Sequence, residues 1–236
     1  SAQSDYRAAN VTFHGLETRF VAYRKHEALG DFMVRMPGEH NVLNTLAAIA
    51  VADELEVPLD VVRDSLASFG GVQRRFTIVG EERGVTLVDD YGHHPAEIEA
   101  TLEAARRAYG DPGPNGGRRI VVAFQPHRYT RTHALAAEFS RCFNRADVVL
   151  ITEIYAAGEA PIPGVSGSAL AESIRAHGHH DVRFVATRAG VADELASFVR
   201  AGDLVICQGA GDINRCAREL LDRLRDRPHD KGAPTP

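Results

Sequence analysis

Tryptophan is absent from this chain of 236 residues, and cysteine and lysine are scarce. Each shortage excludes something. The three cysteines (Cys142, Cys207, Cys216) are an odd number, and they have neither the close pairs of a zinc site nor the density of a disulfide scaffold. They are expected to be reduced thiols filling buried space, in a cytoplasmic protein. The only lysines, Lys25 and Lys231, lie outside any Gly-x-x-x-x-Gly-Lys-Ser/Thr run. A phosphate-binding loop of that kind is therefore missing. No apolar run approaches the roughly 18 residues that cross a bilayer, so no membrane partner is expected. The net charge of −5 comes without a basic stripe, which argues against a nucleic-acid surface. The first methionine is Met33, and the opening Ser1-Ala2-Gln3-Ser4 has no signal-peptide pattern. The expectation is an excised or processed portion of a longer chain.

What remains is ordinary for a globular protein, 44% apolar and 25% charged, and long enough for one large or two modest domains. Residues from about 10 to 36 alternate like strands, through Val11, Phe13, Phe20, Val21, Tyr23, Phe32, Val34 and Met36, with breaks read at Gly15 and Gly30. This predicts an antiparallel meander. Helices are expected over about 40–55 and 58–69, stopped by Gly70-Gly71. After Arg74-Arg75-Phe76 the rhythm changes, and a domain boundary is expected there. Strands at 85–89, 120–124, 148–152, 182–185 and 204–207 alternate with helices at 95–109, 131–145, 168–177, 188–200 and 212–226. The fold class is then α/β, a Rossmann-like, mostly parallel sheet with helices on both faces. Residues 111–117 read as a flexible turn and 229–236 as a disordered tail.

In an open parallel sheet, ligands bind beyond the carboxyl ends of the strands. That edge collects Asp89–His94, Gln125–Arg131, Glu153–Gly164 and Gln208–Asp212. The densest run is Val88-Asp89-Asp90-Tyr91-Gly92-His93-His94-Pro95. Asp90 could accept from a ribose, and His93 could take a proton near neutral pH; both are candidate catalytic residues. Arg128 and Arg131, near a helix start, offer two planar forks for a carboxylate or phosphate. Asn41 and Asn44 lie one helical turn apart beside His40, and amides suit an adenine edge. Gly209-Ala210-Gly211-Asp212 is half of a dinucleotide fingerprint. Solvated arginines, a capping asparagine or a tight glycine turn would produce the same letters.

Taken together the motifs resemble the Mur ligases. The matching pieces are Gly38–Asn44 (G-x-H-N-x-x-N), Gln73-Arg74-Arg75-Phe76, Asp89–Pro95 (D-D-Y-G-H-H-P), Phe124–Thr132 (F-Q-P-H-R-Y-T-R-T), Glu153–Pro163 and Gly209–Ile213. The third and fourth are those of the alanine-adding branch. The resemblance implies that residues 1–76 are the end of a central ATP-binding domain and 77–228 a C-terminal, amino-acid-binding domain. It implies ATP-dependent, ADP-forming amide synthesis between UDP-N-acetylmuramate and L-alanine through an acyl phosphate, a step of peptidoglycan precursor synthesis. ATP and magnesium are the implied cofactors, with the magnesium ligands mostly outside this chain and none assigned within it. By the same resemblance His40, Asn41, Asn44, Arg75 and Asp90 would contact ATP. Tyr91, His93, Arg128, Arg131, Gly211 and Asp212 would surround L-alanine. This portion alone is expected to be inactive. The alternative is a stand-alone nucleotide- or amino-acid-binding module, and a weaker one, from Gly209–Asp212, an oxidoreductase.

Overall fold

A computed structural model describes residues 4–112 and 116–227. The tail beyond Arg227 and the centre of the turn expected at 111–117 lie outside the described residues. The chain forms two compact units, one of Ser1–Thr77 with Ala96–Arg118, the other of Ile78–Pro95 with Arg119–Pro236.

The first unit opens with three antiparallel strands, β1 (Tyr6–His14), β2 (Glu17–Arg24) and β3 (Glu27–Val34). Two-residue turns join them, since His14 faces Glu17 and Arg24 faces Glu27. The meander is as expected, but its second turn is not at Gly30. Lys25 takes the left-handed conformation (φ 54°) in that turn. Gly30 sits inside β3 opposite Ala22, where the register shifts at a bulge, and bulges favour glycine. Alternation puts Phe20, Ala22 and Phe32 on the buried face. Phe20 and Phe32 are direct cross-strand partners and stack at 6.1 Å. Helices α1 (Glu39–Glu54) and α2 (Leu59–Ser68) bring Val42, Leu46, Ile49 and Val62 to the same core. Asp53 of α1 fastens the sheet, accepting from Tyr6 at 2.6 Å and Arg24 at 3.0 Å. The Asp53 bond holds the Tyr6 hydroxyl protonated, raising its pKa to about 12.

The second unit is built on a six-stranded sheet of order β4-β5-β9-β6-β7-β8. Its members are β4 (Thr77–Glu82), β5 (Val85–Asp90), β6 (Arg119–Phe124), β7 (Val148–Thr152), β8 (Val182–Val185) and β9 (Asp203–Gln208). From β5 to β8 all pairings are parallel. β4, which the sequence pattern did not suggest, joins β5 through Arg83-Gly84, both with positive φ (52° and 74°). That is the two-residue primed turn of a hairpin, so this edge strand is antiparallel. Val85, Leu87, Val121, Ala123, Val205 and Cys207 face one side, against α7 (Val191–Phe198) and α8 (Arg215–Asp226). The other face carries Phe124, which packs on Phe139 (5.7 Å) and Phe143 (5.3 Å). Helices thus cover both faces, as a parallel sheet requires.

The helix expected at 131–145 is instead two short pieces, α4 (Tyr129–Ala134) and α5 (Ala136–Phe139), broken at Leu135 (φ −113°, ψ 24°). Helix α3 (Pro95–Tyr109) and α6 (Gly167–Ala176) match their expected spans closely. The three cysteines are free and buried, with the Cys216 thiol pushed up to about 11 by burial.

Candidate active site

In the first unit, His40, Asn41 and Asn44 lie in the opening turns of α1. The N-cap is Gly38, so neither asparagine caps the helix. Asn41 donates from Nδ2 to the Pro37 carbonyl at 2.8 Å, which fixes its amide, while Asn44 is exposed one turn on. Arg75 is exposed and pairs with Glu97 at 3.3 Å.

In the second unit the parallel register aligns strand ends. Asp90 is level with Gln208, and Gln208 with Phe124. Asp90 is 3% exposed, yet its carboxylate is held at two points. Oδ1 accepts from the Gly92 N–H at 2.8 Å and from Gln208 Nε2 at 2.9 Å. Backbone bonds stitch the neighbouring ends together, from Gly209 N–H to the Asp90 carbonyl and from Gln125 N–H to the Gln208 carbonyl. The carboxylate thus has a rigid seat at the mouth of the sheet, an arrangement suited to orienting a polar ligand.

Above this seat a chain of rings runs along the edge. Tyr91 meets His93 edge-on (5.3 Å), His93 meets His127 (6.0 Å), and His127 stacks on Tyr155 (5.5 Å, 9° between planes). The last pair is set by the backbone, because Arg128 N–H donates to the Tyr155 carbonyl and Tyr155 N–H to the Pro126 carbonyl. His93 Nδ1 lies 3.0 Å from the Tyr91 carbonyl. A carbonyl only accepts, so Nδ1 carries the proton and Nε2 is the basic nitrogen of the neutral ring. Arg131 Nη1 stands 3.4 Å from His127 Nδ1.

Arg128 is in the left-handed region (φ 71°), which a non-glycine residue adopts only under constraint. Besides the N–H bond to Tyr155, its carbonyl accepts from Thr132 N–H and from Thr132 Oγ1 at 2.9 Å. Burial, then the Arg131 charge, lowers the His127 pKa below 6.5, with His93 and Arg128 acting the same way and Glu159 opposing. The imidazole is therefore neutral at physiological pH, in a locally cationic setting.

Gly211 closes the cluster. A Cβ there would lie 2.9 Å from Tyr155 Cγ and 2.3 Å from Gln125 Oε1. Asp212 points elsewhere: it accepts from Gln125 Nε2 at 2.9 Å and pairs with Arg188 at 3.5 Å. The long loop after β7 is fastened at both ends. Glu153 Oε1 accepts from the Ile154 and Gly167 N–H groups, and Glu159 from Thr130 N–H and Oγ1. The structure so brings Tyr91, His93, Arg131 and Gly211 together, with Asp90 held at the strand end that precedes them, and gives Asp212 other partners. Tyr155, His127, Gln125 and Gln208 had no assigned role. Their signal was only their place just past strand ends.

No group of three or more His, Cys, Asp or Glu side chains among the described residues is arranged to hold a metal ion. Magnesium therefore finds no such donor set among the described residues. Among the described residues no helix is long and apolar enough to cross a membrane.

Residues 74–211 match the family model for the Mur ligase glutamate ligase domain. The chain is 62% identical over 224 residues to the UDP-N-acetylmuramate–L-alanine ligase of Sorangium cellulosum, covering 95% of this chain and 47% of that protein. It is 56% identical over 228 residues to the protein of the same name from Myxococcus xanthus, covering 97% and 47%. The crystal structure of UDP-N-acetylmuramate-alanine ligase MurC from Thermotoga maritima superposes with a TM-score of 0.79 at 28% identity, over 94% of this chain and 46% of that one. The chain spans about half the length of these relatives. Since the matched domain takes up more than half of its residues, the chain belongs to the Mur ligase family.

Proposed function

We propose that this chain is the amino-acid-binding part, with a share of the ATP site, of an ADP-forming UDP-N-acetylmuramate–L-alanine ligase of peptidoglycan synthesis. The observation that carries the reading is the cluster at the sheet's carboxyl edge, where Arg131, His93, Tyr91 and Gly211 converge beside Arg128.

A free carboxylate is a poor electrophile, so the sugar acid is first turned by ATP into an acyl phosphate. The guanidinium groups of Arg128 and Arg131 hold the carboxylate of L-alanine, leaving its amine facing the acyl carbon. Nε2 of His93 takes the ammonium proton, because only the free amine has a lone pair to attack. The C–N bond then forms, the acyl C–O bond breaks with its electrons leaving on phosphate, and the amine's second proton departs with that phosphate. Tyr91 and Gly211 border the amino acid, and Asp212 supports the Gly211 turn through Gln125. In the second unit Asp90, seated by Gly92 and Gln208, accepts from ATP; in the first, His40, Asn41, Asn44 and Arg75 are the nucleotide-binding residues.

The reading is tested in the full-length ligase containing this chain. Arg131→Ala is expected to raise the alanine KM by roughly 10- to 100-fold, the loss of a charge-assisted bond worth about 1.5–3 kcal/mol. The ATP KM should change far less; an unchanged alanine KM would remove the clamp. The chain by itself, with no phosphate-binding loop of the Gly-x-x-x-x-Gly-Lys-Ser/Thr type, is expected to release no phosphate when given all three substrates.

A further inference from the structure

We infer that His127 is a positioning residue for the amino-acid carboxylate: its Nδ1 lone pair accepts from Arg131 and sets the plane of that guanidinium, while the Tyr155 ring fixes the imidazole. The inference rests on the ligase reading and deepens it.

Three independent features converge on this ring. Its plane is set by the stack on Tyr155 and by the backbone bonds that join the two segments. Its Nδ1 faces Arg131 Nη1 at 3.4 Å. A guanidinium has only donors, so the nitrogen it faces must carry a lone pair, which puts the ring proton on Nε2. Finally, the ring touches His93, so the imidazole lies between the proposed base and the proposed clamp. An arginine side chain loses much rotamer freedom when it binds a carboxylate. A neutral acceptor behind one of its nitrogens removes part of that cost beforehand, without neutralising the charge the ligand needs.

The charged and titratable groups acting on His127 are Arg131 and Arg128, His93, and Glu159 from the loop after β7. A carboxylate at the position of His127 would tie Arg131 into a salt bridge and compete with the substrate. A cationic ring would repel it and offer it no acceptor. The neutral imidazole is the state that orients without competing. Acid pH should therefore weaken alanine binding beyond what protonation of the free amine explains.

The experiment uses full-length ligase and measures KM for L-alanine and for ATP between about pH 5.5 and 8.5, a range spanning the ordinary histidine pKa. His127→Phe keeps a flat ring but has no acceptor. It should raise the alanine KM about tenfold, the worth of one net hydrogen bond of about 1.4 kcal/mol, with the ATP KM within about twofold. His127→Asn restores an acceptor close to Nδ1 and should recover most of that loss. It should also abolish the extra rise in alanine KM that the wild type shows at acid pH. A His127→Phe enzyme with the wild-type alanine KM would overturn the assignment, as would a His127→Asn enzyme as impaired as His127→Phe. If His127→Phe fails to fold, the pH comparison decides: superimposable acid profiles for wild type and His127→Asn overturn the assignment, and a flattened variant profile supports it. Wild-type enzyme without alanine-dependent phosphate release would overturn the ligase reading, and this assignment with it. A turning-over wild type with a silent variant overturns the assignment alone.

Discussion

A methyl group at position 211 would sit 2.3 Å from Gln125 Oε1, which accepts from Ile213 N–H at 3.2 Å. Gly211→Ala is therefore expected to destabilise the second unit by about 1–3 kcal/mol through overpacking. Gly70→Ala, where a Cβ meets nothing within 4 Å, should cost under about 0.5 kcal/mol. Urea melts of the two variants check the contrast, and equal midpoints would refute it. A second residue-scale expectation concerns His179, whose Nε2 donates to the Ala146 carbonyl at 3.0 Å and whose Nδ1 accepts from Asp181 N–H at 3.3 Å. That pair of bonds needs the neutral ring, and burial lowers its pKa below 6.5. As pH falls, the unfolded chain takes up the proton first. Stability is thus full above the unfolded pKa and declines as pH drops below it, until the folded ring titrates too. His179→Gln should flatten that decline, leaving the contribution of His127, which has the same sign. A melting profile from pH 8 to 5 as steep as the wild type's would contradict it. The residues of the edge cluster were legible as a list, because titratable groups crowded behind apolar runs stand out. Which ring stacks on which was not. His127 and Tyr155 are separated by two short helices and a strand, and nothing in their spacing records the parallel bridge that pairs them.

At the level of elements, the strands of the parallel sheet were readable to within a residue or so, since buried parallel strands are continuous apolar runs. β4 was not. It is an edge strand with a partly exposed pattern, and it contains Gly80, where a Cβ would press on Leu221 at 3.1–3.2 Å. A glycine demanded by a helix packed above it looks, in sequence, like a strand breaker. The break at Leu135 was hidden for the converse reason: both halves of the segment present apolar residues at helical spacing, and only the turn of the chain separates them. The loop between β7 and α6 invites a third prediction. Its contacts with α4 include the pair of bonds from Thr130 to Glu159, and the hydrogen bonds that Thr130 donates hold the Glu159 carboxyl below its ordinary range. Glu159→Ala should release the loop, giving faster proteolysis within residues 156–166. Cleavage at the wild-type rate would show that the loop is held by other means.

For the molecule as a whole, the two units carry separate apolar cores, one around Phe20 and Phe32 and one along the parallel sheet. Phe20→Ala, at a fully packed position, should cost about 3–5 kcal/mol. Amide exchange should then quicken across residues 6–68 and stay slow in β6 and β9, as befits units that open independently. Uniform acceleration throughout would mean that the chain unfolds as one. The strand order carries a consequence for how the chain is made. β9, at residues 203–208, lies between β5 and β6, which are synthesised long before it. Until the ribosome has delivered that last strand, β5 and β6 face each other across an empty lane, each with an unsatisfied row of amides and carbonyls. The nascent protein must therefore wait with its sheet unzipped down the middle, and chaperone dependence should be greatest in that interval.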